Sequence, residues 1–346
     1  MSSSDRTPPE RQPSLHDIAE AAGLSVSTVS RYLSGQLPLK PQTESRLLET
    51  IDTLGYVRSP RQARRKPTRN GVIGLVVPQI GNTYFGRIAD AVVSAAESHG
   101  LAVLLTSTLN HSRKQLDYVD LLVSKDIAGL IYAGNFSSNR ALSNTISSGL
   151  PVVVIDEAIA GVPPVDTVLV DDYAGAYHAT TYLTTLGHTR IALVTGPTGL
   201  RSVSERRRGW RDALQKAGIR ADDQVVLSGA FSEEFGVVAL SHLLSSTEIP
   251  TAVFAASDTI ALGIMAAAHT LGVSIPGTLS VVGFDDAPAA GLVTPRLTTL
   301  RTPLDKMASN AVTMLVDRID DSSRPVQTSV TPVTLIVGES AAALRA

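Results

Sequence analysis

LHDIAEAAGLSVSTVSRYLSG, residues 15–35, reads as two short helices joined by a tight turn. Leu15, Ile18, Ala19 and Ala22 fall on one face at helical spacing, Ser14 stands where an N-cap belongs, and Gly23 suits a left-handed stop. Ser25 caps a second helix whose inward residues are Val26 or Val29, together with Leu33. Spacing favours Val29 over Val26 for the core. The intervening AAGLS has room for nothing but a turn, so the pattern is a helix-turn-helix. A third helix, with Pro41 at its first position and running to about Leu54, places Leu47, Leu48, Ile51 and Leu54 on one face.

On the N-terminal side, residues 1–13 are polar and proline-bearing and are expected to form a disordered tail. On the C-terminal side the composition changes sharply. Arg58, Arg61, Arg64, Arg65, Lys66 and Arg69 follow one another with no acid among them. Ser59–Pro60 can open a helix and Pro67 ends it, so residues 59–70 have space for at most about two turns, which are marginal in water. Self-repulsion weakens them further, and the segment is expected to order only when phosphates neutralise it. From Gly71 onward, apolar runs recur at the spacing of βαβ units: VIGLVV (72–77), LAVLL (101–105), IAGLIY (127–132), PVVVI (151–155), RIALVT (190–195), QVVLS (224–228), TAVFAA (251–256) and LSVVGF (279–284). Near-continuous apolar strands suit parallel sheets buried on both faces, and Ala-rich helical patterns fill the intervals. This is too much chain for one sheet. The expected architecture is α/β: two doubly wound parallel-sheet lobes with a cleft between them, preceded by a small all-α domain.

The whole chain of 346 residues carries a net charge of −2, but residues 1–70 are net +4 and residues 71–346 net −6. A basic head on an acidic body points to a polyanion-binding module joined to something else. With no cysteine, disulfides, thiolate metal sites and cysteine nucleophiles are excluded. No apolar leader or spanning run is present, so a soluble, cytoplasmic protein away from membranes is expected. GxGxxG, GxxxxGK, GxSxG and HExxH are all missing, and the seven histidines are scattered without metal spacing. No catalytic residue, metal or cofactor is therefore assigned. His188, in LGHTR, is read as a structural residue at a helix end. Asp285–Asp286 attract more interest, because carboxylates after a parallel strand stand where α/β proteins bind ligands.

LHDIAEAAGLSVSTVSRYLSG, then LGY (54–56), VIG (72–74), GNTYF (81–85), LGHTRIALVTGP (186–197), SERRRGW (204–210), ASDTIALG (256–263) and SVVGFDD (280–286), in this order and spacing, resemble the lactose/galactose repressor family over almost the whole chain from Ser14. The resemblance implies a helix-turn-helix domain over 14–58, a hinge over 59–70, and a periplasmic-binding-protein-like core over 71–346. Its first lobe spans about 71–169 plus 299–328 and its second about 170–298 plus 329–346. It implies a homodimeric transcription regulator, most simply a repressor, on a palindromic operator in double-stranded DNA, controlled allosterically by a small-molecule effector. By match to the family, Val26 and Ser27 occupy positions that vary with operator sequence, Arg31 reads a base edge, and Thr28 and Ser30 serve phosphates or caps. Tyr56, Arg61, Arg64 and Arg65 are further DNA contacts; Arg65 stands where the family has a minor-groove leucine, and Lys40 replaces a serine cap. Effector contacts implied are Tyr84, Phe85, Ser202, Arg206, Phe231, Ser257, Asp258 and Asp285. Rings cover a sugar face or stack on a base, and the charged groups orient hydroxyls. Asp258 could equally be a structural helix cap. Leu200 and Arg201 depart from the polar or small residues usual in the family. The absence of a terminal leucine heptad favours a dimer. Competing readings keep the two-lobed body as a sugar-binding protein, or as an enzyme using Asp285, Asp258 and Arg206 as acid, base and clamp.

Overall fold

Short capped helices open the computed structural model, which describes residues 14–33, 37, 39–54, 71–109, 111–134 and 140–344. The expected tail, the hinge, and with them Tyr56, Arg61, Arg64 and Arg65, lie outside the described residues, as do the side chains of Leu33 and Leu48. The chain divides into two units, residues 1–65 and 66–346.

In the first unit, α1 spans Leu15–Ala22, α2 Val26–Leu33 and α3 Pro41–Thr53. Ser14 and Asp17 form a reciprocal capping box at α1, and Gly23 ends it at φ 62°. Ser25 Oγ accepts the amide of Thr28, 3.1 Å, and so caps α2. Ile18, Ala19, Ala22, Val29 and Leu47 close a small core against which Leu15, Leu24, Tyr32, Leu39 and Ile51 pack. Val29 is fully buried whereas Val26 is 41% exposed. The third helix stops one residue earlier than expected, and Leu54 lies in the following turn, exposed. Tyr32 Oη donates to Glu44 Oε1, 2.7 Å, tying α2 to α3.

The second unit holds two parallel sheets. The first contains β1 (Val72–Val77), β2 (Ala102–Ser107), β3 (Gly129–Tyr132), β4 (Val152–Asp156), β5 (Asp166–Val170) and β11 (Thr328–Thr331), in the order β11-β5-β4-β3-β1-β2. Its helices are α4 (Thr83–Ser98), α5 (Ser112–Ser124), α6 (Arg140–Ser147) and α11 (Leu304–Asp320). The second sheet is built from β6 (Ile191–Thr195), β7 (Val226–Ser228), β8 (Ala252–Ala255) and β9 (Ser280–Val282), in the order β7-β6-β8-β9. It is covered by α7 (Asp172–Thr185), α8 (Arg201–Lys216), α9 (Glu233–Leu244) and α10 (Asp258–Leu271). A short antiparallel ladder pairs β10 (Thr299–Arg301) with β12 (Thr334–Ile336).

Four of these strands, β5, β10, β11 and β12, are additional to the expected set. β2 also departs from the expected burial on both faces, for it is an edge strand with Leu104 and Leu105 exposed. An edge has one neighbour, so an apolar run there need not signify a sheet interior. Among the described residues no helix is long and apolar enough to cross a membrane.

Candidate effector cavity and DNA-reading helix

The carboxyl ends of β1, β4, β6, β7, β8 and β9 deliver their following loops to one cavity, as the topology of doubly wound sheets favours. The cavity encloses about 520 Å³ of non-atom space, open solvent at its mouth included. Seven of the eight expected effector residues line it: Tyr84, Phe85, Ser202, Arg206, Phe231, Ser257 and Asp285.

Tyr84 and Phe85 enter from the first turn of α4, where Asn82 caps the helix by accepting the Tyr84 amide, 3.0 Å. The two rings meet edge to face, 5.3 Å apart. Tyr84 Oη donates to Asp156 Oδ1 at 2.5 Å. Burial, followed by the neighbouring carboxylates of Asp156 and Asp285, pushes the Tyr84 phenol well above its ordinary value. On the far side, the Phe231 ring lies so close to the Gly196 backbone that a β-carbon there would overlap it, at 2.2 Å. Glycine at the end of β6 is what makes space for the ring.

Arg206, on α8, is almost wholly buried. Its Nε donates to Asp172 Oδ1, 2.9 Å, its Nη1 to the carbonyl of Ala256, and its guanidinium centre stands 3.7 Å above the Phe284 ring. Burial opposes its charge, but Asp172 and Asp285 outweigh that and keep it protonated. Arg201 Nη1 reaches the other oxygen of Asp172, 2.9 Å. Asp285 is held at φ 111°, a strained conformation for a non-glycine residue, and is 8% exposed. Its amide donates to Leu300 O, 2.8 Å, while no described residue hydrogen-bonds its carboxylate. Burial raises that carboxyl well above the usual range against the pull of Arg206.

Asp258 is the expected effector residue that the cavity leaves out. Ser257, one residue earlier, is the cap of α10, accepting the Ile260 amide. Asp258 turns away and is fully buried, accepting from Ala287 N at 2.6 Å and Thr299 Oγ1 at 2.5 Å. Its carboxyl, raised to about 7 by burial, holds the loop that carries Asp285. His188 has the expected structural setting: buried, its Nδ1 meets Thr251 Oγ1 and its Nε2 meets Ser280 Oγ and Ala342 O, and burial lowers its basicity.

Leu200, singled out as a departure at the pocket wall, lines the cavity, and Asn82, Asp156, Glu157 and Thr259 line it without having been expected there. Asp156–Glu157 follow PVVVI just as Asp285–Asp286 follow LSVVGF, so the same strand-end signal was available for them. Asp156 shares the strain, at φ 80°, and burial next to Glu157 raises its carboxyl to about 7. Glu157 accepts from the amides of Arg201, 3.0 Å, and Ser202, 3.3 Å, and from Ser202 Oγ.

In the first unit, Val26, Ser27, Ser30 and Arg31 are exposed at i and i+4 spacing on one face of α2, opposite Val29. Thr28 is half-buried, and its hydroxyl sits 2.7 Å from Ser25 Oγ within the cap.

The chain matches the model of bacterial regulatory proteins, lacI family, over residues 14–59, and that of a periplasmic binding protein-like domain over residues 180–341. It is 31% identical over 298 residues to the HTH-type transcriptional regulator DegA of Bacillus subtilis, covering 85% of this chain and 88% of that one. Against the HTH-type transcriptional repressor PurR of Edwardsiella ictaluri it is 30% identical, covering 91% and 92%. Among solved structures, a LacI family transcriptional regulator from Enterococcus faecium with bound ribose superposes with TM-score 0.73 at 29% identity, over 79% of this chain and all of that one. These relatives are transcription regulators and not enzymes. With its helix-turn-helix unit and its two-sheet ligand-binding-type core, the chain belongs to the lacI family of bacterial transcription regulators.

Proposed function

We propose that this protein is a cytoplasmic repressor that binds a palindromic operator as a homodimer and is controlled by a sugar-like or nucleoside-like effector in the cavity. The observation that carries the effector reading is the cavity lining itself. Tyr84, Phe85 and Phe231 offer faces for a ring, and Asp285 offers a buried carboxylate with no hydrogen-bond donor of its own. A ligand hydroxyl supplies that partner, and the hydrogen bond fixes orientation. The lobes, about 71–169 with 299–328 and 170–298 with 329–346, close on the ligand and bias the hinge at 59–70.

Val26, Ser27 and Arg31 read base edges while Thr28 and Ser30 serve the backbone or the cap. Tyr56, Arg61 and Arg64 add contacts, and Arg65 enters a narrow A·T-rich minor groove in place of an apolar wedge. Support for a second copy comes from Val93 on α4 and Leu104 and Leu105 on the neighbouring edge strand, which expose apolar surface that a dimer would cover.

The test pairs two measurements on the full chain: thermal shift against ribose, disaccharides and nucleosides, and fluorescence anisotropy on operator DNA obtained by in vitro selection. One ligand class should raise the melting temperature by mass action and change DNA affinity. Turnover of a ligand, or selected sites lacking two-fold symmetry, would overturn the reading.

A further inference from the structure

Three helices, α4, α8 and α10, point their N-termini at the cavity. Two carry their own neutral caps, Asn82 and Ser257. The third does not: the N-cap position of α8 is Leu200, which has no side-chain hydrogen bond to offer. Free amides at a helix start attract anions. Here that place is taken by Glu157, which arrives from the loop after β4, on the other sheet, and accepts from Arg201 N and Ser202 N and from the Ser202 hydroxyl. Glu157 is 3% exposed, so the contact is enclosed as well as charged.

We propose that Glu157 is a specificity-determining residue that bars anionic effectors: its carboxylate fills the N-terminus of α8, and the cavity takes uncharged, hydroxyl-bearing ligands while refusing their phosphorylated or carboxylated counterparts. The proposal rests on the effector reading of the cavity. The charge inventory agrees with it. Asp156, Glu157 and Asp285 face the cavity, and the cation lining it is Arg206, which Asp172 already engages. An incoming phosphate would meet like charge at close range and find the one bare helix start occupied. A hydroxyl-bearing ligand would instead donate to Asp285, the carboxylate that lacks a partner.

The probe is inorganic phosphate alone, titrated into the full-length protein at pH 7.5 against chloride at matched ionic strength, with binding read by calorimetry. The wild type should show no saturable site in the cavity. Glu157→Ala should gain one, at least about tenfold tighter than any wild-type binding, because a like charge is removed and the amides are freed. Glu157→Gln keeps an acceptor and the side-chain volume while losing the charge; it should show a smaller gain, and it decides the matter if the alanine variant does not fold. Folding of both is checked by the emission of Trp210, which is buried on α8. Phosphate binding by the wild type equal to that of the variants, or folded variants that gain none, would overturn the proposal. Phosphate gained by variants of a protein that no sugar or nucleoside stabilises would fault the effector reading and leave the role of Glu157 standing.

Discussion

Replacing Arg206 by Leu removes one half of a buried ion pair and leaves Asp172, itself fully buried, with a single cationic neighbour. Breaking such a pair from one side costs about 3–5 kcal/mol, because the surviving charge stays in the interior. Arg201 still reaches Asp172 at 2.9 Å and is only 27% exposed, so the lower end, about 3 kcal/mol, is expected. Asp172→Asn leaves Arg206 its contacts with Ala256 O and the Phe284 ring and the attraction of Asp285, but no ion-pair partner at hydrogen-bond distance, and costs about 3 kcal/mol by the same reasoning. The double variant carries neither buried charge and should be less destabilised than the two losses added, with a coupling of about 1–3 kcal/mol. The sequence provides its own probe, since the chain has one tryptophan, Trp210, 1% exposed and one helical turn beyond Arg206. Its fluorescence in urea reports the 66–346 unit without interference from the helix-turn-helix. A 3 kcal/mol loss should lower the midpoint by about 1 M for a slope of about 3 kcal/mol/M. Strict additivity, or a midpoint unmoved by Arg206→Leu, would refute the claim that this buried ion pair stabilises the unit.

Two further outcomes follow from neighbouring observations. Asp156 has its carboxyl raised from 3.8 to about 7, so the stability it contributes is complete below about pH 4 and is lost as pH rises through 7. Asp156→Asn should therefore gain on the wild type between pH 4 and 8 in paired urea titrations, and a constant difference across that window would contradict the assignment. In the DNA-reading unit, Val29→Ala should cost about 2 kcal/mol of stability through lost burial and a small cavity, weakening all DNA binding, whereas Val26→Ala should leave the fold intact and change sequence preference. Equal loss on selected and random DNA for Val26→Ala, measured by anisotropy, would place Val26 outside base reading.

Local rules explain why the first unit is legible in the sequence. Ser14, Gly23 and Ser25 act within four residues of themselves, so caps and stops can be read without knowing the fold. The long apolar strands are legible for the same reason. Three of the four strands missed are short or polar: Thr328–Thr331 is TSVT, and Thr299–Arg301 and Thr334–Ile336 have three residues each; β5, DTVLV, is as long and as buried as β4 and was within reach of the same apolar pattern. Their pairing depends on partners far along the chain, which no local pattern records. The close crossing of α9 and α10 is hidden in the same way: a β-carbon on Gly263 would lie 2.1 Å from Glu233 O, and one on Gly236 2.3 Å from Ile260 O. In the cavity, family resemblance supplied the rings, the serines, Arg206 and Asp285, and marked Leu200 as a departure, but it gave no partner for that departure. Glu157 answers Leu200 across the cleft, and neither residue means much until the fold brings them together.

The cavity residues also differ in what lies behind them. The chain leaves the first sheet after β5, returns towards it through β10 and α11, and leaves it again after β11 for β12. Arg206 is anchored to Asp172, two residues beyond β5 and the first of α7, and Asp285 is anchored through its amide to Leu300 in β10. Asp258, excluded from the cavity, grips Thr299 in the same strand and Ala287 beyond Asp285. A ligand that engages Arg206 and Asp285 therefore acts on groups fastened to two of the crossings. Phe231, by contrast, is packed into the second sheet's own core. Ligand affinity can then reside mainly in the rings while control of lobe geometry resides in the charges, because only interactions that differ between two lobe arrangements can shift their balance. On this argument an analogue that keeps the ring but lacks the hydroxyl facing Asp285 would bind and compete, yet leave DNA affinity where it was.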